Sequence, residues 1–89
     1  MAEVNAFNGA QALAERGDYP AAAAAFEKFL KDYPASSLKP NAEFALALAV
    51  SGSDHTKGAA RFKAFAEQHR THPLAADAQR LVTQIEQVR

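Results

Sequence analysis

The sequence contains no cysteine, which excludes disulfide bridges and thiolate metal ligands and leaves the redox compartment open. Net charge is missing as well, since ten basic side chains balance ten acidic ones. A chain without a global field is not drawn onto nucleic acid or anionic lipid, so neither is an expected partner. No apolar run approaches the roughly 20 residues that cross a bilayer, and direct membrane insertion is not expected. Residues Met1 to Ala10 have neither the basic start nor the hydrophobic centre of a secretion signal, which fits a cytoplasmic protein or the mature piece of a larger exported one. Strand formers are thin, at four Val, one Ile and three Thr in 89 residues, so no sheet is expected.

The apparatus of catalysis is scarce too. No glycine-rich phosphate loop occurs, and Gly52-Ser53 sits between helical segments rather than on a strand-to-helix elbow. Acidic residues are scattered over helix surfaces and caps instead of being paired in an apolar pocket where one could stay protonated. A non-enzyme that uses no cofactor is the expectation. His69 and His72 share one side of a helix if that helix runs through them, but no carboxylate or cysteine motif completes a site around them, and His55 is unplaced. No metal is expected.

Alanine, the best helix former, fills the space left by the missing strand formers. A first helix is expected from about Glu3 to Arg16, stopped by Gly17. Asp18 then caps a second helix that tolerates Pro20 in its first turn and runs to about Asp32. Its apolar stripe is Ala22, Ala23, Phe26, Phe29 and Leu30. Tyr33-Pro34 ends it, and Ser36 or Ser37 is placed to cap a third helix, about Leu38 to Val50, that is apolar nearly all round and hence the most buried. Residues 51–54 read as its break, with Asp54 capping a fourth helix whose stripe is Phe62, Phe65 and Ala66. A closing helix, about Leu74 to Val88, carries Ala78, Leu81, Val82 and Ile85 on one face and polar residues on the other. The expected fold is all-α, about five antiparallel helices in a single domain.

These helices repeat. Asp18 matches Asp54, Ala23 matches Ala59, Phe26 matches Phe62 and Phe29 matches Phe65, all at a spacing of 36. Unit one spans about 3–33, unit two about 38–71, and the closing helix, about 74–88, suits a cap on a stack. From Phe62 to Pro73 is three residues more than from Phe26 to Pro34. That predicts a fourth helix nearly one turn longer than the second.

Gly17, Asp18, Tyr19, Ala22, Phe26 and Pro34 fall at the spacing of the tetratricopeptide-repeat signature, which the first unit resembles closely. The second unit departs from it, with Ser53 standing for the turn glycine, His55 for the aromatic and Gly58 for the small alanine. The phrase from Phe29 to Ala49 is similar to the repeats of two bacterial envelope families, the TolA-binding Tol-Pal coordinators and the outer-membrane-assembly lipoproteins. The resemblance implies an α-solenoid that acts as a protein-interaction scaffold in the periplasm or cell envelope, with a cytoplasmic setting left open. It further implies that the first helix of each unit lines a concave, partner-binding face: Val4, Phe7, Gln11, Ala14 and Glu15 from unit one, and Asn41, Phe44, Leu48 and Ser51 from unit two. The alternative for the apolar members is plain core. The groove has no cluster of Lys and Arg to clamp a terminal carboxylate, which points to an extended or helical protein segment as the partner. Lys57, Arg61 and Arg70 suggest a basic outer face on the fourth helix, against the alternative of an ordinary solvated face. Two repeats fall short of the three or more such stacks usually need, so a homo-oligomer, or a fragment of a longer repeat protein, stands as the alternative organisation.

Overall fold

A computed structural model describes residues 2–87, and these are all helix or short connection. Helix α1 is Ala2–Glu15, α2 Tyr19–Asp32, α3 Lys39–Ser53, α4 His55–Gln68 and α5 Pro73–Gln87. Val88, the expected last residue of α5, lies outside the described residues. Consecutive helices pack as antiparallel neighbours, a helical-hairpin repeat arrangement, and α3 also touches α1 and α5. The result is a slab of 39 × 29 × 16 Å.

Each hairpin is built on three aromatic rings. In unit one Phe7 of α1 meets Phe26 and Phe29 of α2 edge-on at centroid distances of 5.6 and 5.9 Å. In unit two Phe44 of α3 meets Phe62 and Phe65 of α4 the same way at 5.3 and 5.6 Å. Edge-to-face pairs of this kind add about 0.5–1.5 kcal/mol beyond their area burial. Phe26, Phe29, Phe62 and Phe65 are buried, with Ala22, Ala42 and Leu46 completing the first cluster and Ala47, Ala78 and Val82 the second. The stripes read from the sequence are thus the core, and Phe7 and Phe44 are half-buried at its edge. No buried residue is polar or charged among those described.

The connections hold the repeat in register and correct three expectations. First, α4 is no longer than α2, at 14 residues each. The 36-residue spacing persists through the loop that follows. The Leu38 N–H donates to Ser36 Oγ at 3.0 Å just as the Leu74 N–H donates to His72 Nδ1 at 3.1 Å. Ser36 N to Tyr33 O likewise recurs as His72 N to His69 O. There is no insertion. The counterpart of Pro34 is Arg70, and Pro73 is the first residue of α5, where a missing N–H costs nothing. By the same offset Leu38, Ala42 and Leu46 of α3 become Leu74, Ala78 and Val82 of α5, so the closing helix is the first half of a third unit. Second, α3 does not break at Ser51 but runs to Ser53. Third, Leu38 occupies the cap position of α3, with no side chain capping it; Ser36 Oγ instead closes the turn before it.

The reason α3 continues through glycine and serine is visible at two close contacts. A Cβ on Gly58 of α4 would lie 2.5 Å from Ser51 Cα and on top of its Cβ, and one on Gly52 would lie 2.7 Å from the Tyr19 ring. Helix α3 is held against α4 and Tyr19 where its own propensity is weak, and packing wins over propensity. The two hairpin turns also differ. Unit one turns through Gly17 at φ 83°, a left-handed conformation that glycine adopts without strain. Unit two has no such residue. The aromatic contacts align Phe7 with Phe44, 37 apart, while the caps Asp18 and Asp54 are 36 apart, so Gly17 has no counterpart at all. Ser53, expected to stand in its place, is the last residue of α3. Asp54 alone joins α3 to α4: its N–H donates to Val50 O at 2.7 Å, ending one helix, and its carboxylate accepts from the Lys57 N–H at 3.1 Å, starting the next.

Substituting Gly58 by Ala is expected to destabilise the domain by about 1–3 kcal/mol, because overpacking against backbone exceeds the gain in helix propensity. Gly9, inside α1 with open space around its Cβ position, should gain up to about 1 kcal/mol on the same change. Urea midpoints of the two variants, compared with the parent, measure both signs.

Candidate partner-binding groove

Among the described residues, the large apolar side chains that remain exposed are Tyr19, at 37%, and Leu48, at 43%. They line one groove. Its walls are Ala14 and Glu15 from the end of α1, Tyr19 from the start of α2, Leu48, Ala49, Ser51 and Gly52 from the last turns of α3, and His55 from the start of α4, around a volume of about 470 Å³. The groove therefore sits at the hairpin-turn end of the slab, where the two turns lie side by side. Tyr19 is held there because α2 begins at it, immediately after the Asp18 cap, whose carboxylate accepts from the Ala21 N–H at 3.4 Å. The missing Cβ of Gly52 lets the phenol ring lie on α3. Ser51 Oγ donates back to the Leu48 carbonyl at 2.9 Å, fixing the hydroxyl at the groove wall.

Leu48 has no structural reason to be leucine. In the register that aligns Phe7 with Phe44 and buried Ala10 with buried Ala47, its counterpart on α1 is Gln11, which is exposed. The hairpin of unit one packs with a glutamine at this position.

Of the residues expected on the concave face, the structure brings Ala14, Glu15, Leu48 and Ser51 together in this groove. It puts Phe44 in a second, smaller groove of about 290 Å³ between α3 and α5, lined also by Asp77, Arg80, Leu81 and Gln84. Phe7 belongs to the aromatic core of unit one. Val4 is half-buried, and Gln11 and Asn41 are exposed. Tyr19, Gly52 and His55 were not among the expected binding residues. Their place depends on two turns meeting, which no spacing along one helix reveals.

The outer surface is different in kind from the expected basic face. Arg61 approaches Glu27 of α2 at 3.7 Å, and Lys63 pairs with Glu86 of α5 at 2.8 Å. Lys57 is at the first turn of α4, whereas Arg70 lies beyond its end, in the connection to α5. Arg61 and Lys63 thus face carboxylates on neighbouring helices, while Lys57 and Arg70 are exposed. Lys28, exposed on α2, has its pKa raised by a hydrogen bond and ion pair with Asp32; it is remote from the groove.

The histidines also land differently from the reading along a helix. His69 and His72 both follow α4, and His55 begins it, about 20 Å away at 1.5 Å per residue. His69 takes the position of Tyr33: Phe29 and Tyr33 are 5.3 Å apart, Phe65 and His69 4.8 Å. Its Nε2 donates to Glu43 Oε1 at 2.9 Å, tying the connection to α3. Among the described residues no three His, Cys, Asp or Glu side chains are grouped so as to hold a metal ion, and no helix is long and apolar enough to cross a membrane.

Comparison with protein-family models, curated proteins and solved structures returns no match.

Because Leu48 is exposed and Leu46, two residues away, is 4% exposed in the core, their substitutions should separate cleanly. Leu48→Gln is expected to shift stability by less than about 0.5 kcal/mol, and Leu46→Ala to cost about 2–5 kcal/mol. Thermal unfolding followed by circular dichroism distinguishes them.

Proposed function

We propose that this domain is a non-enzymatic scaffold that binds a partner protein through the Tyr19–Leu48 groove. The observation that carries the reading is the coincidence in one concavity of the two large apolar side chains exposed among the described residues, in a repeat whose first unit fills the position of Leu48 with glutamine. Exposed apolar surface rimmed by polar groups is the usual mark of an interaction site.

The edges of the stack favour this reading over end-to-end self-association. The face of α3 that packs on α4 includes Phe44 and Ala47; the matching positions on α5, 36 residues on, are Arg80 and Thr83, both exposed. The face of α3 that packs on α2 includes Ala42, Leu46 and Ala49, and its counterparts on α1, 37 residues earlier, are Asn5, Gly9 and Ala12, all exposed. Both ends thus carry exposed small or polar residues at the positions that are buried and apolar, or packed on the core, at the interior junctions. The bacterial envelope as the setting rests on the resemblance of residues 29–49 to envelope repeats.

The test is capture of partner protein from a bacterial cell extract by immobilised domain. Leu48→Glu should abolish capture while Gln11→Glu, at the matching position of unit one, leaves it intact. Equal capture by the parent and by Leu48→Glu, with both folded by circular dichroism, would overturn the groove as the binding site.

A further inference from the structure

The walls of the Tyr19–Leu48 groove carry a single formal charge. It is the carboxylate of Glu15; no Lys or Arg lines the groove. Elsewhere three carboxylates that face a neighbouring helix or connection are matched, Glu27 by Arg61, Glu43 by His69 and Glu86 by Lys63. Glu15 is exposed and has no ion-pair partner among the described residues. It also sits at the C-terminal residue of α1, the end at which a negative charge is disfavoured by the helix dipole. Neither pairing within the fold nor helix electrostatics accounts for an acidic residue here.

An occupant bearing a carboxylate beside its apolar anchor would set like charges together in a partly desolvated groove. One bearing an ammonium or guanidinium would complete the pair that the fold leaves open. The size of the space narrows the occupant further. About 470 Å³, open on one side, takes individual side chains and not a whole helix, whose diameter with side chains is about 10–12 Å. The neighbouring Asp18 and Asp54 are each engaged in capping a helix, which leaves Glu15 as the carboxylate available to the groove.

We propose that the groove recognises a short peptide segment in which one large apolar side chain, seated against Tyr19 and Leu48, is flanked by a Lys or Arg that pairs with Glu15. This rests on the reading of the domain as an interaction module and adds the chemistry of the partner to it. Ser51 and His55 at the rim supply hydrogen-bonding groups for the backbone of the segment.

A phage-displayed random dodecapeptide library, selected in parallel on the parent, on Glu15→Lys and on Leu48→Glu, tests the proposal. Glu15→Lys puts a cation at the end of α1, where the dipole favours it, so the variant keeps its fold. Peptides selected on the parent are expected to pair an apolar residue with a nearby Lys or Arg and to bind Glu15→Lys about fivefold more weakly, the change given by an exposed ion pair of about 1 kcal/mol. Glu15→Lys should select Asp or Glu in place of the basic residue. Peptides that need Leu48 but show no basic preference and bind Glu15→Lys equally well would overturn the charge rule while leaving the groove as the binding site. Peptides indifferent to Leu48→Glu, or no enrichment on the parent, would overturn both.

Discussion

The edge-to-face cluster of three aromatic rings in each hairpin is the contact on which the rest of the molecule depends. It fixes how the first helix of a unit lies on the second, since an aromatic on one helix must fit between two rings placed three residues apart on the other. Everything else follows from repeating that fit. The alanines at 22, 42, 47 and 78 let neighbouring helices approach closely enough for the rings to meet. The N-caps at Asp18 and Asp54 start the second helix of each unit at the position that puts the phenylalanines opposite Phe7 and Phe44. Because the buried residues described are apolar, polarity is left to the surface, and the exposed Tyr19 and Leu48 stand out against it.

Much of this was legible in the chain. The spacing of 36 located both aromatic stripes, and the Asp caps, the Gly17 turn and the helix end at Asp32 follow from local backbone chemistry that acts over three or four residues. What misled were residues whose local meaning is overruled by packing. Ser51-Gly52-Ser53 reads as a break, yet Tyr19 and Gly58 press on that stretch and keep it helical. Pro34 and Pro73 read as equivalent stops, although one lies in a connection and the other opens a helix. The hydrogen bonds of the turns, not the prolines, carry the register. Concave-face membership was legible only in part. Position along a helix could nominate Leu48, Glu15 and Ser51, but the groove is closed by Tyr19 and His55, whose nearness to them depends on two turns converging.

The two units also show how a repeat can vary at its surface without losing its frame. Two of the differences between them are conservative in shape: Tyr33 becomes His69 and keeps its place beside a phenylalanine, and Ala22 becomes Gly58 where the helices come closer. The change from Gln11 to Leu48 is of another kind. It adds apolar area on a surface that the repeat itself does not use, and it does so beside an acidic residue that the fold leaves unpaired.

The single residue between α3 and α4 has a mechanical meaning. Asp54 is at once the end of one helix and the beginning of the next, so the junction contains only two soft torsions, and both are fixed by hydrogen bonds to the helices on either side. The connection from α2 to α3 contains six residues, 33–38. Helices α3 and α4, by contrast, turn on one residue, so the relative direction of Leu48 and His55, carried one on each, is set by those two hydrogen bonds. An occupant of the proposed groove would meet both side chains across that short junction.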